Sequence, residues 1–212
     1  FGPTVMIFIG LGYFESIPIT FLLFYCWLFL IPLITYVSHV EIKERFVQTI
    51  KNGFLLKPIL VGIISGVICL LSIYSSVALV QGHLFDFNRL SRQLVQWGFS
   101  GKKVWGFILV LIIINPILEE WYWREFMYKR YLNKLGVVKS VILTSFFYTL
   151  YHMLVLIPLF EMPFSIIATI PIFFAGLLWG YIRVKFSSII APVISHSLAD
   201  IGIIFVYLYY LM

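Results

Sequence analysis

Six apolar runs of spanning length, Pro18–Ser38, Ile59–Leu79, Val104–Met127, Ser140–Leu159, Ser165–Ile182 and Ile189–Met212, occupy most of this sequence. Each approaches the roughly 20 residues a helix needs to cross about 30 Å of hydrocarbon. Lipid offers the backbone no hydrogen-bond partners, so a crossing segment must satisfy its own amides as helix. Composition agrees, with 62% hydrophobic and only 11% charged residues and a mean hydropathy of +1.03. Soluble domains carry roughly a quarter charged residues. The expected fold is all-α: a polytopic transmembrane bundle of about six to eight helices with interfacial amphipathic helices.

The residues between the runs refine that picture. Thr4–Phe14 is apolar but short, and reads either as a further helix or as a half-helix at the interface. Glu41–Lys57 and Leu84–Lys103 mix aliphatic or aromatic residues with charges, as interfacial helices do. The start, Phe1-Gly2-Pro3, lacks the basic stretch of a signal peptide, and the absent Met points to an edited or truncated N-terminus. Cys26 and Cys69 lie in apolar runs and read as small hydrophobes. No boundary or repeat interrupts the chain, so residues 1–212 form one membrane domain, its motif-bearing core at about 104–212.

Basic residues set the orientation. Lys43, Arg45, Lys51, Lys57, Lys129, Arg130, Lys134, Lys139, Arg183 and Lys185 fall on one side of six spans, and only Arg89, Arg92, Lys102 and Lys103 on the other. The first side is expected to be cytoplasmic. The chain should be a multi-pass protein of a bacterial or archaeal plasma membrane, with the lipid bilayer as its solvent and no nucleic-acid partner.

Against this background six residues can ionise at membrane depth: Glu119, Glu120, Arg124, His152, His196 and Asp200. Such groups are expensive in hydrocarbon and mark function by default. Glu120 precedes Lys129 by nine positions, His152 follows Lys139 by thirteen, and His196 follows Lys185 by eleven. At 1.5 Å per residue all three lie roughly 13–20 Å from the cytoplasmic edge, on three helices. Equal depth makes one shared site the expectation.

Side-chain spacing then suggests roles. Glu120 and Arg124, four apart, share a helix face and can neutralise one another. Glu119 points about 100° away, which leaves a free carboxylate suited to general-base work. Asn115-Pro116 one turn upstream should kink this helix and open a polar cavity. The competing reading is a structural ion-pair cluster. His196 and Asp200 at i and i+4 can aim at one oxygen or one metal, or simply form an interhelix hydrogen bond. His152 alone is weaker, since a structural hydrogen bond accounts for it equally well. His39 and His83 lie at span ends and read as interfacial. Gly62-x-x-x-Gly66 and Gly176-x-x-x-Gly180 are close-packing signals. Of Trp121, Tyr122 and Trp123, at least two are expected to pack rather than line a cleft.

Asn-Pro-Ile-Leu-Glu-Glu-x-x-x-Arg (115–124), the aromatic-x-x-x-His of Tyr148 and His152, and the His-x-x-x-Asp of His196 and Asp200 occur in that order. Together they resemble the intramembrane glutamic endopeptidases, the CPBP family of CAAX prenyl proteases and bacteriocin-processing or self-immunity proteins. Gly176-Leu-Leu-Trp-Gly180-Tyr and Phe186-Ser-Ser-Ile-Ile-Ala-Pro192 are similar to the family's closing segment. The resemblance covers about Ile112–Ile201 and implies a peptidase acting on a membrane-associated peptide or protein. By it, Glu119 and His152 activate a water, while Glu120 and Arg124 hold the helix and tune Glu119. His196 and Asp200 serve the oxyanion.

Three departures stand out. Tyr148 replaces a usual Phe and Glu125 a common Gly, and both bear on substrate choice. Asp200 stands where Asn is frequent. An ionised Asp would repel an oxyanion, so Asp200 is either protonated or orients His196, with orientation the slightly favoured role. The resemblance implies no cofactor. A zinc-dependent protease with Glu119, His152, His196 and Asp200 as ligands is the alternative. A non-enzymatic transporter or immunity protein with a polar binding site is another. Oligomeric state is not legible, because the glycine faces serve either kind of packing.

Overall fold

The computed structural model describes residues 1–37, 53–80 and 86–212, and every regular element among them is helical. These are α1 (Gly2–Ile7), α2 (Ile17–Val37), α3 (Leu56–Val80), α4 (Phe87–Gln96), α5 (Lys103–Leu109), α6 (Asn115–Glu120), α7 (Tyr128–Leu159), α8 (Phe164–Ile167), α9 (Thr169–Phe186) and α10 (Ile190–Tyr210). Wide π-helical turns at Phe8–Tyr13, Val110–Ile114 and Trp121–Met127 extend or join them. His39, His83 and residues 41–52 of the first expected interfacial helix lie outside the described residues.

Five helical runs are long and apolar enough to cross a membrane: Ile17–Thr35, Leu56–Leu79, Lys103–Leu159, Phe164–Phe186 and Ile190–Tyr210. The third has 57 residues, which as straight helix would reach about 85 Å, nearly three hydrocarbon thicknesses. It does not stay straight. Gly136 inside α7 takes φ 74° and ψ 175°, a conformation that only glycine adopts cheaply. Trp123 stacks on Tyr151 at 6.2 Å, and the Arg124 guanidinium sits 4.7 Å from the Tyr148 ring centre. Both pairs bracket Gly136 evenly, so the chain reverses there and two crossings result. The separate spans read at 104–127 and 140–159 are the two arms of this hairpin.

A Cβ on Gly136 would meet nothing within 4 Å. Gly136→Ala should therefore destabilise only through its backbone, by about 1–3 kcal/mol. A lower thermal midpoint of the detergent-solubilised protein, with activity kept below it, is the expected result.

Glycine faces fix how the helices meet. A Cβ on Gly62 would fall 2.8 Å from the Ala191 carbonyl oxygen, and one on Gly66 2.9 Å from Ser195 Cα. One on Gly202 would fall 2.9 Å from Leu70 Cα, so α3 and α10 run parallel in near backbone contact. Gly180 lies against Val141 and Gly176 against Ser145, at 2.7 and 3.1 Å by the same measure, which sets α9 antiparallel to α7. Both small-x-x-x-small motifs thus serve packing within the chain. Gly10 packs on Thr20, so the short apolar segment lies as helix along α2.

Polarity runs inside out. Ile64, Ile68 and Leu71 on the outer face of α3 are more than half exposed, while Glu119, Glu120, Arg124, Glu125, His196 and Asp200 are buried. That is the distribution a lipid-solvated bundle requires. Within Leu84–Lys103 the expected interfacial helix is α4. Asp86 caps it by accepting from the Arg89 amide at 3.0 Å, and Leu90 is buried. Arg89 pairs with Glu161 at 2.7 Å on the exposed side. Cys26 and Cys69 are free thiols.

Candidate active site

Pro116 does not break its helix. It stands in the first turn of α6, where a missing amide hydrogen leaves no bond unmade, directly after the wide turn at Val110–Ile114. Ile114 and Asn115 keep helical dihedrals. The helix widens locally just ahead of the proline, and such π-helical turns are frequent at functional sites. Glu119 and Glu120 then project inward and are almost wholly buried.

Glu120 and Arg124 form the expected pair, Nε to Oε2 at 3.2 Å. The guanidinium lies over both the Tyr148 and Trp179 rings, 4.7 and 5.6 Å from their centres, and its Nη2 donates to the Gly176 carbonyl at 3.3 Å. Arg124 thereby ties α6, α7 and α9 together. The other Glu120 oxygen, Oε1, lies 3.1 Å from His196 Nδ1. Trp179 stacks flat on the His196 ring, with centres 4.1 Å apart and planes at 15°. Its indole N–H donates to Ser195 Oγ at 3.0 Å, and Ser65 on α3 donates to the same oxygen at 3.0 Å.

With one nitrogen and one face fixed, His196 has a single free point, Nε2. Three oxygens surround it: Tyr148 OH at 3.5 Å, Asp200 Oδ2 at 3.7 Å and Glu119 Oε2 at 3.8 Å. Glu119 Oε2 makes no direct hydrogen bond. The Tyr151 hydroxyl lies beside Glu119. His152, one residue on, is half-buried, and its Nδ1 is 2.9 Å from the Tyr148 carbonyl oxygen. A carbonyl only accepts, so Nδ1 carries the hydrogen and Nε2 the lone pair.

Glu120 and Trp179 contact the His196 ring directly, whereas Asp200 Oδ2 lies 3.7 Å from its Nε2, too far for a direct hydrogen bond. Asp200 instead accepts from Asn115 Nδ2 at 3.2 Å. Glu125, which stands where the family commonly has Gly, lies in the interior. It is fully buried, paired with Lys129 and with Arg183, whose Nη2 stands 2.6 Å from its Oε2. Tyr122 and Trp123 are core residues, as expected. Asn115, Tyr151, Trp179, Ser195 and Tyr25 carry site contacts that sequence reasoning missed. An amide inside an apolar run was the available signal for Asn115, since it too is costly in lipid unless bonded.

Among the described residues, no three or more His, Cys, Asp or Glu side chains are disposed to hold a metal ion. The group can carry protons: two carboxyl groups and a phenol lie within 3.8 Å of the His196 imidazole, and the His152 ring packs against Tyr148 and Tyr151 beside them.

No curated protein and no solved structure matches the chain. A family model does, the type II CAAX prenyl endopeptidase Rce1-like family, over residues 101–210. The matched segment is more than half of the 212 residues and contains Glu119, Glu120, Arg124, His152, His196 and Asp200. The chain belongs to the type II CAAX prenyl endopeptidase Rce1-like family, and it is a multi-pass membrane protease.

Proposed function

We propose that the protein is a metal-free glutamic endopeptidase that cuts a peptide bond in a membrane-associated substrate. The observation that carries the reading is the convergence of Glu119 Oε2, Asp200 Oδ2 and Tyr148 OH on His196 Nε2 at 3.5–3.8 Å. Those separations are longer than good direct hydrogen bonds, so these polar atoms are available to a reacting oxygen. In the reaction a water loses a proton to Glu119 while its oxygen bonds to the carbonyl carbon. His152 Nε2, the free lone pair, holds the second hydrogen of that water. Negative charge moves to the carbonyl oxygen, which accepts from His196 Nε2–H while Glu120 holds the opposite nitrogen. Collapse breaks the C–N bond as Glu119 returns its proton to the leaving amine.

Entry is from the cytoplasmic side or the adjacent leaflet, because basic residues cluster at that edge. Substrates are membrane-anchored peptides or proteins whose scissile bond can reach about 13–20 Å into the bundle.

The zinc reading predicts something different. Phenanthroline should leave proteolysis within about twofold of the untreated rate in membranes containing the protein, because the proposed steps need no Lewis acid. Loss of cleavage with the chelator, restored by added zinc, would transfer the assignment to a zinc protease.

A further inference from the structure

Asp200 Oδ2, the oxygen nearest His196 Nε2, accepts from Asn115 Nδ2 and so brings no hydrogen to an oxyanion there, and His196 offers only one free nitrogen. The oxyanion site is therefore one donor short on the residues assigned so far. A neutral amide stands beside it. Asn115 on α6 is buried, and its Nδ2 lies 3.2 Å from Asp200 Oδ2, the oxygen that is itself 3.7 Å from His196 Nε2. Tyr25 on α2 donates its hydroxyl to Asn115 Oδ1 at 3.2 Å. The Asp200 oxygen takes the NH2 end of the amide, and the Tyr25 hydroxyl, which can donate or accept, then donates to the carbonyl end. An NH2 group has two hydrogens and Asp200 takes one. The second has no acceptor among the described residues.

Building on the glutamic-protease reading above, we propose that Asn115 is a further catalytic residue, whose second Nδ2–H donates to the oxyanion alongside His196. Asp200 and Tyr25 are positioning residues that hold the amide in this orientation. Tyr25 lies outside the family-matched segment 101–210, so the first membrane helices contribute to the site as well as to the bundle. Asn115 and Asp200 form a unit of one amide and one acid. Their identities can be exchanged provided both remain, since Tyr25 can donate to either kind of oxygen.

The test is a swap in membranes of cells expressing each variant at equal level. The readout is the rate at which wild-type-dependent peptide termini accumulate. Asn115→Leu and Asn115→Asp should each slow cleavage by about 10²-fold or more, the usual loss for one oxyanion donor. Tyr25→Phe should slow it several-fold with the thermal midpoint unchanged. The double variant Asn115→Asp/Asp200→Asn should recover at least about tenfold over Asn115→Asp alone, and Asn115→Leu should lose its activity at a thermal midpoint close to wild type, which a purely structural role would not produce.

A double variant no faster than Asn115→Asp, or Asn115→Leu within about threefold of wild type, would overturn the assignment. Glu119→Gln run in parallel separates this from the underlying reading. Loss of termini there with normal rates in Asn115→Leu removes Asn115 alone, whereas their survival in Glu119→Gln removes the protease mechanism itself.

Discussion

Arg124→Met is expected to be the most destabilising single substitution in the bundle, at about 3–5 kcal/mol. The residue is about 1% exposed, and its partner Glu120 is fully buried. Removing the guanidinium leaves the buried Glu120 carboxyl with His196 as its one remaining partner among the described residues, and that cost dominates the loss of the pair's own attraction. The Gly176 carbonyl loses its donor, and the Tyr148 and Trp179 rings lose the cation they share. The diagnostic comparison is the double variant Glu120→Leu/Arg124→Met. It removes both charges together, and a buried pair replaced by apolar residues of similar volume is often neutral in stability. Thermal melting in detergent should place the double variant well above Arg124→Met. It should nevertheless be inactive, because Glu120 also holds His196 Nδ1 at 3.1 Å. If both variants melt alike, the pair does not clamp the helices as described.

Glu119→Gln is expected to have the largest effect on activity, a loss of about 10²–10⁴-fold in turnover with stability nearly kept. Glutamine preserves shape but cannot accept and return a proton. Glu119 Oε2 has no direct hydrogen bond to lose, so the change disturbs chemistry more than packing. This contrast with Arg124→Met, where packing fails first, distinguishes the base from the clamp.

Much of the architecture was legible because lipid leaves few alternatives. Apolar runs of spanning length must be helices, and the basic gap at Lys129–Lys139 marked where α7 turns back. The hairpin's exact hinge was not legible, because Gly136 differs from other glycines only in its dihedrals. Titratable residues inside apolar runs could be named from their cost alone, and Glu120–Arg124 followed from i, i+4 geometry. What helix periodicity could not reveal were contacts between helices. Glu119 faces His196 on α10 at 3.8 Å, and Trp179 on α9 supplies the stack under that ring. Tyr25 is one aromatic among many in α2, and nothing local separates it from its lipid-facing neighbours. The ion pair of Glu125 was not legible for a related reason: its partner Arg183 lies 58 positions away.

The most direct test is terminal proteomics on native membranes carrying wild-type protein or Glu119→Gln at equal expression. The glutamic-protease account predicts peptide termini present with the wild type and missing with Glu119→Gln, arising in membrane-associated proteins. Their sequences would distinguish C-terminal trimming from leader removal. The same termini in both membranes, at comparable rates, would contradict Glu119 as the base.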